Sequence, residues 1–580
     1  MFDSPIELVL LLVLGMVSGR LISWAFPHDT TLLPGLPLLG NVIGLGRHGV
    51  AYISAARRKF GDAFTLNLCG KYMTFLCDPL LVETFFRAPD ADISFRPAVE
   101  QFTARVFGLP SSEFFPKHAQ LLKDLRHLLV PAELEAHVQS LSSKVHALSS
   151  GALPEGQTVE LYGAVRTLVF QSAIESLFGP QLAASVPGGA PALQERFFEF
   201  EGGFEVGATP LPHALQPSFS SSRADLLKWL GAAHQSDGFG DTTAGRLVAS
   251  AGLRPALAPN MLLAVLWASQ ANTVPATFWT TAMLLLPEHA KHAHRVVEEL
   301  GAELSSAAGG GRKGATAAAS LTQEQLAVAA FRLSMDRKSC ISRCVAEAVR
   351  LRVHSIDLRI TSRAIELTDS KGGKLSLPSG RLLAVCPFDF HHDDAMYPPC
   401  ASDFDPDRTP LTLGDGSAVV SSVAGLAFGG GSYRCPGRFF AEMEVALIVQ
   451  LLLWCYSLRL VSEGDSAPGR AEGQPQGAGG MDNGEGGWVG PVGVGARAVL
   501  GDDAAVWGLG LLQRQQGQGG AVGGAGPSGD GSSGSGTPSL PTWRASGDPS
   551  SLLPRADLHR LVGVKLPAEL CMVTVTRREP

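Results

Sequence analysis

Apolar residues recur at intervals of three and four positions through most long segments between residues 85 and 410, which is the period of a helix buried on one face. Two shorter runs, residues 63–69 and 72–77, are rich in strand-forming residues and are separated by Gly70. Residues 570–576 have the same character near the C-terminus. The pattern predicts a mainly α fold with small β-sheets (α+β).

The N-terminal segment has a different pattern, because residues 8–26 are apolar or glycine except for two serines and Arg20. A membrane-spanning helix needs roughly 20 apolar residues. Asp3 and Glu7 precede the segment and basic residues follow at positions 57–59, so the positive-inside rule leaves the rest of the chain in the cytosol. We predict an N-terminal membrane anchor over residues 1–27 rather than a cleaved signal peptide. A buried N-terminal helix is the alternative, and Arg20 favours it.

A long glycine-rich stretch, residues 463–548, also contains Ser, Pro, Gln and Asp but few large side chains. Such a composition cannot bury enough apolar surface to offset the entropy of ordering the chain. We therefore predict a disordered insertion within one domain. The expected organisation is an anchor (1–27), the main domain (28–462), the insertion (463–548) and the C-terminal part of the main domain (549–580).

Charge and cysteine content narrow the function classes. The chain has 580 residues, a formal net charge of −7 and no basic stripe, which argues against nucleic-acid binding. Its nine cysteines are too sparse for a disulfide framework and contain no CxxC pair. We expect reduced thiols in a domain that faces the cytosol.

A glycine-rich loop leads to one cysteine, in the sequence Phe-Gly-Gly-Gly-Ser-Tyr-Arg-Cys-Pro-Gly-Arg-Phe-Phe-Ala over residues 428–441. Pro436 and Gly437 turn the chain into a helix, so Cys435 lies just before a helix N-terminus. The helix dipole and the free amides there favour a thiolate, which is the form that binds metal. A buried structural cysteine beside a glycine turn is the alternative.

Two helical segments carry further polar groups. Glu347 and Arg350 lie three residues apart, on one face of a predicted helix. Residues 262–279 are apolar on nearly every side, and Pro275 is expected to kink this helix and to free backbone groups beside Asn272 and Thr273. An ordinary proline kink with polar caps is the alternative.

The cysteine loop resembles the haem loop of the cytochrome P-450 superfamily, Phe-x-x-Gly-x-basic-x-Cys-x-Gly, and Glu-x-x-Arg lies upstream as in that family. Tyr433 stands where the family usually has a basic residue that meets a haem propionate. Asn272 replaces the usual acid before Thr273, as in the branch containing cholesterol 7α-hydroxylase, sterol 12α-hydroxylase and prostacyclin synthase. The resemblance covers about residues 34–460 and 557–578.

The resemblance implies a cytochrome P-450 fold with haem b, whose iron is bound by a cysteine thiolate, and a set of site residues. The catalytic pair is Thr273 and Asn272, and the axial iron ligand is Cys435. The expected cofactor-binding residues are Phe428, Gly431, Arg434, Gly437, Arg126 and Arg359. The expected structural triad is Glu347, Arg350 and Arg408. The expected substrate-lining residues are Ala268, Ala271, Ile356, Leu358 and Val564.

Two charged residues interrupt the apolar lining segment at positions 356–360. Asp357 and Arg359 are expected to bind a substrate hydroxyl or a haem propionate, or else to face solvent. Arg438 is a second candidate, with Arg434, to replace the basic residue missing at Tyr433.

The resemblance further implies hydroxylation of a hydrophobic sterol or lipid by a monooxygenase in the endoplasmic reticulum membrane, with NADPH-cytochrome P-450 reductase as the electron donor and no nucleic acid as partner. Thr273 favours oxygen activation. An isomerase or dehydratase of a lipid peroxide, which would need neither oxygen nor a reductase, is one alternative. A non-catalytic haem-binding protein and an interaction scaffold built around the insertion are the others.

Overall fold

The computed structural model describes residues 30–209, 211–307, 322–353, 355–408, 426–461, 552–557, 563–564 and 566–578. The expected anchor and the expected glycine-rich insertion both lie outside these residues. Within the described ranges, no helix is both long enough and apolar enough to cross a membrane.

Helices provide most of the regular structure, as the apolar periodicity predicts. The α-helices are α1 (Val42–His48), α2 (Val50–Phe60), α3 (Pro79–Arg87), α4 (Arg96–Gln101), α5 (Ser111–Leu128), α6 (Glu135–Ala152), α7 (Leu161–Phe178), α8 (Pro180–Ser185), α9 (Gly189–Gly202), α10 (Phe204–Gly207), α11 (Pro217–Gln235), α12 (Thr243–Ser250), α13 (Ala258–Gln270), α14 (Thr273–Leu284), α15 (Ala290–Ala307), α16 (Gln323–Met335), α17 (Cys340–Arg352), α18 (Pro387–His391) and α19 (Arg438–Cys455). A π-helix covers Phe102–Phe107.

The strands form three small sheets. They are β1 (Thr31–Leu32), β2 (Ala63–Leu68), β3 (Lys71–Leu76), β4 (Ile93–Ser94), β5 (Thr158–Glu160), β6 (Asp357–Thr361), β7 (Ile365–Thr368), β8 (Lys374–Leu377), β9 (Leu382–Val385), β10 (Tyr456–Leu460) and β11 (Met572–Arg577). The six-stranded sheet has the order β1-β2-β3-β9-β6-β4, the three-stranded sheet the order β10-β11-β5, and β7 pairs with β8.

The predicted hairpin forms, with Phe64 opposite Phe75 and with Gly70 at a φ of 89° in the turn. Residues 357–385 differ from the helical pattern, because they contain β6 to β9. These strands have four or five residues each, which is too short for an alternating pattern to stand out from the helices around them.

Helices α13 and α14 run through the middle of the fold and are separated by a break at Ala271 and Asn272. Pro275 has no N–H to donate to the Ala271 carbonyl, and its ring would collide with that group in a continuous helix. The regular bonding resumes when the Ala276 N–H donates to the Asn272 carbonyl at 3.0 Å. The proline therefore interrupts the helix on its N-terminal side, and all residues of α14 are buried.

The helix that follows the cysteine loop, α19, packs directly against α14, α16 and α17. Its central residues, including Met443, Leu447 and Ile448, are fully enclosed. A fully buried side chain of this size contributes roughly 1.5–3 kcal/mol relative to the exposed state. The cysteine loop is thereby attached to a helix that the core holds firmly.

The last described strand, β11, is part of the main domain. Met572–Arg577 pairs antiparallel with Tyr456–Leu460 on one side and with Thr158–Glu160 on the other. Residues on the two sides of the interval 462–551 therefore lie in one sheet.

A buried ion-pair network joins α17 to the segment that precedes the cysteine loop. Arg350 donates two hydrogen bonds to the carboxylate of Glu347, at 2.7 and 2.6 Å. Arg408 lies 3.5 Å from the same carboxylate, so the three residues of the expected triad are brought together. Glu347 and Arg350 are 7% and 5% exposed, so neither charge can be compensated by water.

The two guanidinium groups also bind backbone carbonyls of the loop after α18. Arg350 donates to the carbonyls of His391, Ala401 and Asp403. Arg408 donates to the carbonyls of Tyr397, Pro398, Cys400 and Asp403. A segment with little regular structure is thus held in place by charged donors.

Substitution of Glu347 by Gln should lower the free energy of unfolding by about 3–5 kcal/mol, because the buried guanidinium of Arg350 loses its counter-charge. Urea unfolding followed by circular dichroism measures this. Glu366→Gln is the matched control, since Glu366 pairs with Lys374 on the surface and should leave the unfolding midpoint unchanged. Equal effects of the two substitutions would contradict the assignment.

Candidate active site

The glycine-rich loop before Cys435 is shaped by its backbone and by one phenylalanine. The Cys435 N–H donates to the Phe428 carbonyl at 2.9 Å and closes the loop. Gly431 has a φ of 64°, and a Cβ atom there would lie 2.1 Å from the Phe86 carbonyl oxygen. A Cβ atom on Gly430 would lie 2.6 Å from the Phe86 ring. These two glycines are therefore required by contact with α3, whereas the sequence alone suggested only close approach to a flat ligand.

Cys435 is half-buried and lies next to the N-terminus of α19. Burial raises the pKa of this thiol, while a hydrogen bond from the Gly437 backbone N–H and the positive charges of Arg438 and Arg434 lower the pKa. Gly437 is also the residue that precedes α19. The hydrogen bond and the two positive charges, which oppose the effect of burial on the pKa, would also stabilise a thiolate bound to a metal ion.

Arg359 on β6 is only 3% exposed, which excludes the solvent-facing alternative. Its guanidinium carbon lies 5.2, 5.7 and 5.4 Å from the ring centroids of Phe85, Phe86 and Tyr433. Burial lowers the pKa of Arg359, and the nearby carboxylates of Asp90 and Asp357 oppose this. Among the described residues, no hydrogen bond or ion pair to Arg359 is found, so its donors are available to an anion.

Tyr433, in the position of the missing basic residue, donates a hydrogen bond from its hydroxyl to Asp90 at 2.6 Å. Burial and the Asp90 carboxylate raise the pKa of Tyr433 to about 12, so the phenol is neutral at physiological pH. Its ring lies 4.4 Å from that of Phe95. Tyr433 therefore cannot supply a positive charge, and Arg359 is the buried cation beside it.

The other basic residues near the cysteine loop are more exposed to solvent than Arg359. Arg126 and Arg434 are exposed, and Arg126 donates to the Ser432 carbonyl at 2.5 Å. Arg438 donates to the Cys435 carbonyl at 3.2 Å and lies 4.0 Å from the Phe439 ring centroid. Arg438 thus takes part in holding the loop through its backbone.

The donor set fits a haem group. Cys435 supplies a soft sulfur ligand for iron, and the unpaired guanidinium of Arg359 suits a carboxylate such as a haem propionate. Phe428 packs on the helical core at the start of the loop, and Gly437 supplies the N–H beside the sulfur. The residues present therefore fit an iron-containing cofactor that carries a carboxylate.

At the helix break, Thr273 is 5% exposed, whereas Asn272 is exposed. Ala268, one turn earlier in α13, is also exposed. The Asn272 side-chain oxygen accepts a hydrogen bond from the Val564 N–H at 2.9 Å. At the break, one face of the central helix is therefore open, and Asn272 contacts the C-terminal segment.

The expected lining residues do not form one cluster. Ile356 and Leu358 pack against the hydrophobic cluster of the six-stranded sheet. Val564 is buried in the helical core and forms an isolated bridge with Val353, at the end of α17. Ala271 is half-buried at the break.

Sequence reasoning missed an aromatic group on α13. The rings of Trp267 and Phe204 stack with centroids 4.1 Å apart, and Phe107 lies 5.8 Å from Trp267. These residues come from three separate elements, and no local pattern in the sequence links them. The three rings form an aromatic cluster, and Ala268 directly follows Trp267 in the sequence.

Asp357 is already a candidate from the sequence, but no sequence pattern predicts that its carboxyl group is enclosed. Its Oδ2 atom is fully enclosed and has no hydrogen-bond partner among the described residues. Burial raises the pKa of Asp357 to about 7, and Arg359 opposes the increase.

Because the folded protein holds this proton up to a pH near 7, whereas the unfolded chain releases it near the ordinary value of 3.8, stability should fall as the pH rises between these values. Asp357→Asn removes this titrating group, and with it the loss of stability on raising the pH. The free energy of unfolding of the variant should therefore increase relative to that of wild type, by up to about 1.4 kcal/mol per pH unit in this window. Urea unfolding from pH 4 to pH 8 measures the difference. Asp241→Asn, at a side chain 97% exposed, is the control. Parallel profiles for wild type and Asp357→Asn would contradict the prediction.

The comparisons with known proteins agree with this geometry. A family model described as cytochrome P-450 matches residues 31–146 and 335–473. The 24-hydroxycholesterol 7-alpha-hydroxylase of Mus musculus is 27% identical over 434 residues, which are 73% of this chain and 86% of that protein.

Two further relatives act on related compounds by name. The 7-alpha-hydroxycholest-4-en-3-one 12-alpha-hydroxylase of Homo sapiens is 26% identical over 77% of this chain and 88% of its own length. The cholesterol 7-alpha-monooxygenase of Cricetulus griseus is 24% identical over 75% of this chain and 87% of its own length. Because the family model matches both the helix of the buried ion pair and the cysteine loop, and the relatives align over about three quarters of the sequence, the chain belongs to the cytochrome P-450 family of monooxygenases.

Proposed function

We propose that this cytochrome P-450 hydroxylates a sterol or a related hydrophobic lipid, with molecular oxygen as co-substrate and electrons from NADPH through a separate cytochrome P-450 reductase. The half-buried thiol of Cys435, before the N-terminus of α19 and with the Gly437 N–H and two arginines beside it, is the observation that carries the proposal. The sterol class is supported by relatives whose names state 7-alpha and 12-alpha hydroxylation.

The cofactor in this proposal is haem b, which supplies an iron centre able to activate oxygen when it is bound. Cys435 would hold the iron through its thiolate, which would supply electron density to the metal. The Gly437 N–H and the charge of Arg438 stabilise the sulfur in its charged form. Arg359 would hold a haem propionate with the guanidinium donors, to which no described residue is hydrogen-bonded.

The break between α13 and α14 positions the polar groups that handle protons. Thr273 keeps a hydroxyl group at the first residue of α14, and that hydroxyl can hold the water that delivers a proton. Asn272 cannot ionise, so its role is to form hydrogen bonds.

An apolar lining binds the substrate and excludes bulk water. We assign this role to Ala268, Ala271, Ile356, Leu358 and Val564, as the family resemblance implies. Ile356 and Leu358 belong to a different packing cluster from Val564, so they would contact the substrate from different sides. Asn272, in place of an acid, would suit an isomerase of a lipid peroxide, since that reaction needs no proton relay. The hydroxyl group of Thr273 favours hydroxylation, because only oxygen activation requires protons to be delivered.

The proposal includes a location. The apolar residues 8–26 would anchor the protein in the endoplasmic reticulum membrane, with the catalytic domain in the cytosol. In that position the domain meets both a membrane-dissolved substrate and a membrane-bound reductase.

The carbon monoxide difference spectrum of the dithionite-reduced protein tests the iron ligand. Wild-type protein should show the strongly red-shifted Soret band of a thiolate-bound haem, and Cys435→Ala should lose that band. Cys455→Ala, at the far end of the same helix, should keep it. An imidazole-type band in wild type, or a red-shifted band that persists in Cys435→Ala, would exclude Cys435 as the ligand.

Removal of the Thr273 hydroxyl should uncouple electron use from product formation. Thr273→Ala should form at least tenfold less hydroxylated product per NADPH consumed and release more hydrogen peroxide, because general acid catalysis typically contributes a hundredfold or more. Thr273→Ser should restore coupling. Thr280→Ala is the control, since the Thr280 hydroxyl donates to the Ala276 carbonyl within the same helix. Unchanged coupling in Thr273→Ala would exclude a role in proton delivery.

A further inference from the structure

One side-chain contact joins two parts of the chain that lie 292 residues apart. The Oδ1 atom of Asn272, in the break of the central helix, accepts the N–H of Val564 at 2.9 Å. Val564 is 6% exposed and is bridged to Val353 on its other side. Without Asn272 this amide would have no acceptor among the described residues, and an unpaired buried amide costs about 1–3 kcal/mol.

The contact fixes which end of the carboxamide faces the site. A backbone N–H can only donate, so the atom of Asn272 that meets it must be the oxygen. The amino group then points away from Val564, and it has no hydrogen-bond partner among the described residues. Asn272 is exposed at the open face of the helix, so the free end of its side chain is a hydrogen-bond donor.

Gly563 makes this contact possible. A Cβ atom at position 563 would lie 2.4 Å from the Asn272 oxygen, so a larger residue would push the carboxamide away. The φ of Gly563 is 79°, a conformation that other residues rarely adopt. Both features restrict position 563 to glycine.

We propose that Asn272 determines substrate specificity by donating a hydrogen bond to an acceptor-only oxygen, such as a ketone, near the reacting carbon of the sterol, and that Gly563 and Val564 are positioning residues that aim its amino group. This inference rests on the proposed sterol hydroxylation. An unpaired donor in an apolar pocket selects for a ligand that carries an acceptor, because a ligand without one leaves the donor buried and unsatisfied.

Hydrogen exchange measured by mass spectrometry tests the positioning contact without reference to catalysis. In the wild-type holoenzyme, the Val564 amide should be protected from exchange. Asn272→Ala and Gly563→Ala should lose that protection, whereas Asn272→Asp should keep it, since a carboxylate oxygen also accepts the bond. Gly380→Ala is the matched control, because Gly380 has a φ of 77° but no atom within 4 Å of its Cβ position.

Ligand titrations followed by the Soret shift test the donor. Wild type should bind 7-oxocholesterol about tenfold more tightly than cholesterol, which differs by one carbonyl group. Asn272→Asp should lose this preference, because it offers acceptors where Asn272 offers a donor. Gly563→Ala should also lose it, and Gly380→Ala should keep it.

The outcomes separate the inference from the proposed function. A wild-type protein that has the thiolate-type spectrum but no preference for the ketone, or an Asn272→Asp variant that keeps the preference, overturns the donor assignment. An unprotected Val564 amide in wild type overturns the positioning contact. Absence of the thiolate-type spectrum in wild type is instead a failure of the proposed function, and it leaves the exchange result as the measure of the contact.

Discussion

The ion pair between Glu347 and Arg350 is the interaction on which the active-site half of the molecule depends. Its two charges are enclosed, so they must satisfy each other, and the remaining N–H groups of the guanidinium must find acceptors inside the protein. They find them in the carbonyls of His391, at the end of α18, and of Ala401, in the loop that follows. Arg408 adds the same kind of contact from within that loop. Helix α17 is thereby joined to the loop that leads towards the cysteine, in addition to the hydrogen bonds that the loop makes within itself.

The charges around Cys435 suit a cofactor that contains a metal ion and carries carboxylates. Arg434 and Arg438 lie before and after Cys435 in the sequence and carry positive charge. A third cation, Arg359, is buried against aromatic rings. Tyr433 stays neutral and binds Asp90, which keeps that carboxylate engaged beside Arg359. The loss of a basic residue at position 433 is therefore compatible with a cofactor that carries carboxylates, because Arg359 is buried at the same place.

Local patterns in the sequence were enough for several features. The hairpin, the strand near the C-terminus and the cysteine before a helix each depend on neighbouring residues, and each is present. Pro275 breaks its helix because its chemistry acts within one turn. Other features depend on distant residues. Gly430 and Gly431 are required by Phe86, and the contact between Asn272 and Val564 spans about half of the chain, so no local rule could reveal either.

The three-stranded sheet has a consequence for how the chain folds and for how it tolerates truncation. Its central strand, Met572–Arg577, is the last of the described strands, and it pairs with Tyr456–Leu460 from the other side of the interval 462–551. During synthesis, the cysteine loop and its helix leave the ribosome long before this strand. A chain that stops short of residue 572 would keep Cys435 and its loop, yet it would leave β5 and β10 without a partner. Such unpaired edges recruit strands from other molecules. Premature termination is therefore expected to cause aggregation rather than a simple loss of cofactor.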